Sequence, residues 1–280
     1  MSEARGRSGG APRSEAAGRI PAPIRHARIR DAFRRDGFVS VSDIARDLGV
    51  SAMTIRRDLV ALARAGEITR THGGAVPPTE AERGPFDAEE PVFDSRVARN
   101  ADAKLAIARR AARLVGPRES VGLDVGTTVM ALAGELAQRT DLRVFTNNVR
   151  AAMRLAGCGS PVYILGGEVR PPEFSVIGAG AVQQLRAHFL DRVFLGVSGL
   201  GELGLFDYSP EDTEVKRAFL DCAESVVVVC DATKFGRRAL SRIAPLDAID
   251  ILVTDQAPPP ELAAALEAAQ VDVIVADGRG

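Results

Sequence analysis

The stretch "VSAMTIRRDL", Val50 to Leu59, sets two adjacent arginines a few residues after a serine. With Ile55 at the centre of a helical inner face, Leu59 and Leu62 fall within about 40° of it, while Arg56 and Arg57 lie at about 100° and 200°. That geometry predicts a short helix capped by Ser51, packed through Ile55, Leu59 and Leu62, with Met53, Arg56 and Arg57 outside. The preceding "FVSVSDIARDLGV" predicts another helix, with Ser42 as N-cap, Ile44, Ala45 and Leu48 inward and Gly49 as its stop. Ile29, Ala32 and Phe33 mark a first helix ending at Gly37. "GEITRTHGGAV" reads as two short extended pieces around Gly73-Gly74.

Two helices joined through Gly-Val, the second opening with exposed arginines, suit a helix that enters the DNA major groove. Arg56 and Arg57 would meet guanine edges or phosphates there, and Ser51 and Thr54 would add phosphate contacts. The terminal hairpin would form a wing, with Arg70 and His72 near phosphate or the minor groove. A plain solvated helix face is the alternative for the arginines, and a solvated turn for His72.

Bulk properties point the same way. The 280-residue chain has a formal net charge of only −1. Yet residues 1–76 carry 14 Arg, no Lys and 8 Asp+Glu, so a basic front end is masked by an acidic remainder. Residues 1–24 are rich in Gly, Ala, Arg, Ser and Pro, and read as a disordered basic tail. Residues 25–76 form the reader, and 77–92, "PPTEAERGPFDAEEPV", have linker composition. No apolar run is long enough to cross a bilayer, and the N-terminus lacks a secretory signal's apolar segment. Three scattered cysteines suit buried thiols in a reducing cytoplasm, and no close Cys/His cluster suggests a metal site. A cytoplasmic protein is the expectation.

Residues 93–280 begin with an amphipathic helix near Asn100 to Leu114. Seven apolar extended runs then alternate with helical patterns: "VGLDVG", "RVFTNN", "PVYILGG", "RVFLGVSG", "SVVVVCD", "DILVTD" and "VDVIVAD". Near-continuous Val/Ile/Leu runs separated by helices predict a parallel sheet covered on both faces. Most runs end in Gly or small polar residues, and ligands of open α/β sheets collect at those strand ends. In "GLDVGTTVMALAGEL" a strand reaches Asp124, turns at Gly126, and Thr127-Thr128 open a helix, an arrangement suited to phosphate. An ordinary capped helix start fits these residues equally well.

Lysine is scarce here: beside 33 Arg the chain keeps only Lys104, Lys216 and Lys234. A compact ammonium is not always replaceable by a guanidinium, which favours a ligand role for Lys216 and Lys234 near strand ends. Arg96, Asn100 and Lys104 share a predicted helical face, either a docking stripe or a solvated one. No paired, clearly buried carboxylates and no nucleophile with a base are evident in the sequence.

These segments resemble the DeoR family of bacterial transcriptional regulators. The front end matches in "S-x-x-T-I-R-R-D-L" and "R-x-H-G-G-A". The rest matches in Phe93, Arg96, Asn100, Lys104 and Ile107-Ala108; in "D-x-G-T-T" at Asp124 to Thr128; in "TNN" at Thr146 to Asn148; and in "GGE" at Gly166 to Glu168. "E-V-K-R" at Glu214 to Arg217, "D-x-[ST]-K-F-G" at Asp231 to Gly236 and "TD" at Thr254-Asp255 complete it. The segment "GLGELGLFDYSPED" is looser and is where ligand identity would be set.

The resemblance implies an α/β chain: an N-terminal winged helix-turn-helix, then a Rossmann-like sensor similar to ribose-phosphate isomerase and glucosamine-phosphate deaminase. It implies a homodimeric or homotetrameric operator-binding repressor of carbohydrate metabolism, released by a phosphorylated sugar, with no cofactor, no metal and no membrane partner. The candidate effector residues are Asp124, Gly126, Thr127, Thr128, Asn147, Gly166, Gly167, Glu168, Lys216, Asp231 and Lys234. An active sugar-phosphate isomerase or deaminase fused to a reader, and a ligand-free architectural DNA-binding protein, are the competing readings.

Overall fold

The computed structural model describes residues 20–36, 38–64, 68–70, 74–76 and 93–276, in two compact units divided between Glu82 and Arg83. The expected linker and His72 lie outside the described residues, as does most of the expected tail.

In the first unit, helix α1 (Ala22–Asp36) leads to β1 (Val39–Ser40), α2 (Val41–Asp47), α3 (Ala52–Arg64), β2 (Thr69–Arg70) and β3 (Gly74–Val76). The strands form an antiparallel sheet in the order β1-β3-β2. Gly74 is required by close approach, since a Cβ there would sit 1.9 Å from the Val39 carbonyl oxygen. Ile29, Ile55, Leu59 and Leu62 are almost wholly buried in one core, as the spacing predicts.

Helix α1 begins at Ala22, where the Pro21 carbonyl accepts from the Ile24 and Arg25 N–H groups, both at 3.1 Å. One boundary differs from the sequence reading. Helix α2 is capped by Ser40 rather than Ser42. Ser40 is the last residue of β1, with extended backbone, and its hydroxyl accepts from the Asp43 N–H at 3.4 Å; Ser42 is already inside the first turn. Gly49 ends α2 with φ +60°, a left-handed conformation that glycine adopts freely.

In the second unit, α4 (Phe93–Ala98) and α5 (Ala101–Ala112) precede β4 (Ser120–Leu123), α6 (Thr127–Leu136), β5 (Arg143–Thr146), α7 (Val149–Leu155) and β6 (Val162–Ile164). A hairpin of β7 (Glu168–Arg170) and β8 (Ser175–Ile177) follows, then α8 (Ala179–Arg186) and β9 (Leu190–Leu195). The chain continues through β10 (Gly199–Gly201), β11 (Gly204–Asp207), α9 (Pro210–Cys222), β12 (Ala223–Val229) and β13 (Ser241–Ala244). It ends with β14 (Ile251–Thr254), α10 (Pro260–Ala268) and β15 (Asp272–Val275).

All seven predicted runs enter one parallel sheet, in the order β15-β14-β12-β9-β4-β5-β6. Successive residues feed opposite faces: Val226 and Val228 of β12 pack in the core under α8, α9 and α10, while Val227 and Val229 pack under α5, α6 and α7. The β7–β8 hairpin and the small β10–β11–β13 sheet are additions the sequence reading missed.

Strand order decides where a site can form. From β4 the chain builds outward through β5 and β6, then returns to the other side of β4 for β9, β12, β14 and β15. The reversal falls between β4 and β9, the place where open α/β sheets leave a crevice at the carboxyl ends of their strands.

Candidate functional site

In the reader, Arg56, Arg57 and Met53 are exposed on α3. Ser51 Oγ accepts from the Thr54 N–H at 3.2 Å and lies 2.9 Å from Thr54 Oγ1, so both hydroxyls help close the first helical turn. Arg70 pairs with Ala75 across β2 and β3; its side chain lies outside the described residues. Asp58, the acid of "RRDL", is buried and anchors α3 to α1 through Arg25. Burial raises its carboxyl, but hydrogen bonds and charge from Arg25, with His26 adding to them, hold it below the usual range.

In the second unit a cleft opens at the switch point. Its floor is Gly126–Thr128 after β4, Gly196 and Val197 after β9, and Cys230 and Asp231 after β12. Gly126 has φ +123°, and the first backbone bond of α6, Met130 N–H to Gly126 O, spans 2.9 Å. The N–H groups of Thr127, Thr128 and Val129 therefore precede the helical ladder and point out of the helix end, a partial positive charge. Around it stand Arg96, Arg99, Lys104, Lys234 and Arg237, with Asp231 the carboxylate among these described lining residues. Burial lowers Lys104 to about 8, against the pull of Asp231, and burial likewise lowers Lys234. Desolvated ammonium groups beside the N–H donors of a helix start have the chemistry to hold an anion.

Of the residues expected to bind effector, Gly126, Thr127, Thr128, Asp231 and Lys234 line this cleft together. Asn147, Gly166, Gly167 and Glu168 do not. They follow β5 and β6, on the far side of β4 from the switch point. Asn147 is fully buried, the Gly166 N–H is taken by Gln184 Oε1 at 2.9 Å, and Glu168 is exposed on β7. Gly167 serves packing, because a Cβ there would meet the Ile177 carbonyl oxygen at 2.3 Å.

Lys216 is also placed otherwise than expected. It is buried, donates to Asp124 Oδ2 and to the Gly196 carbonyl at 2.9 Å, and lies 3.3 Å from Asp207 Oδ2. Asp124, fully buried, also accepts from the Gly196 N–H at 3.1 Å, so it braces the β9 end rather than facing the cleft. Burial pushes its carboxyl up to about 6 against the pull of Lys216, while Asp124 and Asp207 keep Lys216 charged despite its own burial. Paired buried carboxylates are thus present, contrary to the sequence reading.

The sequence reading overlooked Lys104 as a cleft residue. Asn100 has φ +52° and breaks the expected continuous helix into α4 and α5. Lys104 is consequently turned under α4, buried, donating to the Arg96 carbonyl and to Arg99 O at 2.6 Å. Helix α4 is further held by the Arg96–Glu173 pair and by Arg150, whose guanidinium lies 4.2 Å from the Phe93 ring and 4.6 Å from Phe174. Lysine scarcity was the signal available for Lys104; Tyr208, Thr233 and Arg237 offered none.

Among the described residues no helix is long and apolar enough to cross a membrane, and no cluster of His, Cys, Asp or Glu could hold a metal. The sequence matches the DeoR-like helix-turn-helix domain over residues 25–81 and the DeoR C terminal sensor domain over residues 99–256. It is 33% identical over 240 residues to the glycerol-3-phosphate regulon repressor of Escherichia coli (strain K12), covering 84% of this chain and 91% of that protein. It is 31% identical over 250 residues to the HTH-type transcriptional repressor GlcR of Bacillus subtilis (strain 168), covering 89% and 94%. Among solved structures, ribose 5-phosphate isomerase A from Methanocaldococcus jannaschii shares 22% identity with a TM-score of 0.37, over 49% of this chain and 55% of that one. That geometric likeness is loose; the curated relatives are repressors, not enzymes. With both halves matched and relatives aligned over most of its length, the chain belongs to the DeoR family of DNA-binding transcriptional regulators.

Proposed function

We propose that the protein is a cytoplasmic, homo-oligomeric repressor of a carbohydrate operon, and that a phosphorylated sugar or related metabolite releases it from its operator. The observation that carries this reading is the start of α6, where Gly126, Thr127 and Thr128 line a cleft together with Lys104 and Lys234. The phosphate sits on Gly126, Thr127 and Thr128 and is neutralised by these lysines; no cofactor takes part. Relatives named as repressors, one of a glycerol-3-phosphate regulon, support the sign of regulation and the ligand class. At least two readers act together, because one small module covers too little DNA for genomic specificity. The ligand shifts the equilibrium only to the extent that it prefers the DNA-free arrangement.

Fluorescence anisotropy with DNA from upstream of the adjacent genes, repeated with a panel of sugar phosphates, tests the whole reading. Tight binding that one phosphate ester weakens at least tenfold is expected. Binding indifferent to every ester, with no ester raising the melting temperature, would refute the effector role.

A further inference from the structure

The cleft adjoins a second chamber of opposite character. The two share Arg96, Gly126, Gly196 and Val197, and the second is walled by Glu173, Asp207, Asp212 and Lys216. Its three carboxylates are 2%, 5% and 1% exposed. Glu173 pairs with Arg96 and Asp212 with Arg170, while Lys216 is shared between Asp207 and Asp124. Among the described residues, three cations thus serve these four carboxylates. Asp212 Oδ1 is buried with no hydrogen-bond partner among the described residues.

A buried carboxylate oxygen lacking a donor gains from a ligand O–H and is penalised by a second anion. The lining therefore changes sign across the four shared residues: ammonium groups and helix N–H donors on one side, carboxylates on the other. We propose that the sensor selects a metabolite carrying a single phosphate and a hydroxyl-bearing remainder. Its hydroxyls reach Asp212 and Asp207, and a second phosphate is rejected. The proposal rests on the reading of the α6 end as a phosphate site and adds the discrimination made at the other end. Asp207 and Asp212 lie in the segment "GLGELGLFDYSPED", so the loosest part of the family pattern supplies the selecting groups.

Calorimetric titration of the full chain with inorganic phosphate, fructose 1-phosphate, fructose 6-phosphate, fructose 1,6-bisphosphate, ribulose 5-phosphate and ribulose 1,5-bisphosphate tests it. A monoester binding at least tenfold tighter than both inorganic phosphate and its own bisphosphate is expected. Asp212→Asn should raise bisphosphate affinity severalfold and leave inorganic phosphate unchanged, with Asp207→Asn as the second variant should the first misfold. A purely structural role for these acids would instead weaken all ligands together. A bisphosphate that binds as tightly as its monoester, or monoesters no tighter than inorganic phosphate, overturns the proposal while leaving the α6 site intact. No binding of any anion removes the α6 site, and the proposal with it.

Discussion

Arg25 and Asp58, 33 positions apart, grip each other twice: Nε to Oδ2 at 2.6 Å and Nη2 to Oδ1 at 2.8 Å. This two-point contact fixes α1 across α3, the helix that carries Arg56 and Arg57. It is largely screened from water, with side-chain exposures of 14% and 7%. Asp58→Asn should destabilise the reader by about 2 kcal/mol. Because the native carboxyl titrates below its unfolded value, the stabilisation is complete above about pH 4 and fades as pH falls through the lowered native value. Hydrogen exchange of α1 and α3 amides reads both effects; exchange unchanged in the variant would deny the contact this role.

Arg56→Ala and Arg57→Ala remove exposed side chains, so neither should alter folding. Each should weaken operator binding by about 1–3 kcal/mol where a base contact is lost, or flatten the salt dependence where a phosphate contact is lost. Full operator affinity in both variants, measured across salt concentrations, contradicts the assignment of α3 as the reading helix.

Thr127→Val combined with Lys234→Ala should leave operator affinity intact and abolish release by the effector. The melting-temperature rise with phosphate esters should vanish too. Preserved induction would move the ligand site away from the α6 end.

Lys104 supplies a pH signature. Its native value near 8 means the free protein sheds this charge as pH rises past neutrality, whereas a bound phosphate favours the charged form. Effector affinity should therefore fall between about pH 7 and 9, with proton uptake on binding in that window. Lys104→Met should be weaker throughout and fall less steeply across it, since Lys234, also lowered by burial, remains in the cleft. A wild-type profile no steeper than the variant's would place the phosphate away from Lys104.

What could be read from the chain was local. Val226 to Val229 announce a strand buried on both faces, and Gly49 followed by Ser51 announces a helix stop and start, because those signals act within a few residues. The destinations of Lys216 and Asn147 were not legible. Lys216 meets Asp124 across 92 positions, and Asn147 misses the cleft only because β5 lies on one side of β4 and β9 on the other. Strand ends look alike in sequence; their order does not appear there. Asn100 was opaque for another reason, since a single left-handed residue leaves the helical spacing on either side undisturbed.

The break at Asn100 makes α4 a fragment of six residues, too short to hold itself together and dependent on Phe93, Arg96 and the Lys104 ammonium beneath it. Lys104 donates to two carbonyls at the end of this fragment, those of Arg96 and Arg99, so removing its ammonium would take away two of the ties that hold α4 in place. The order of α4 is therefore coupled to the charge beside one lysine.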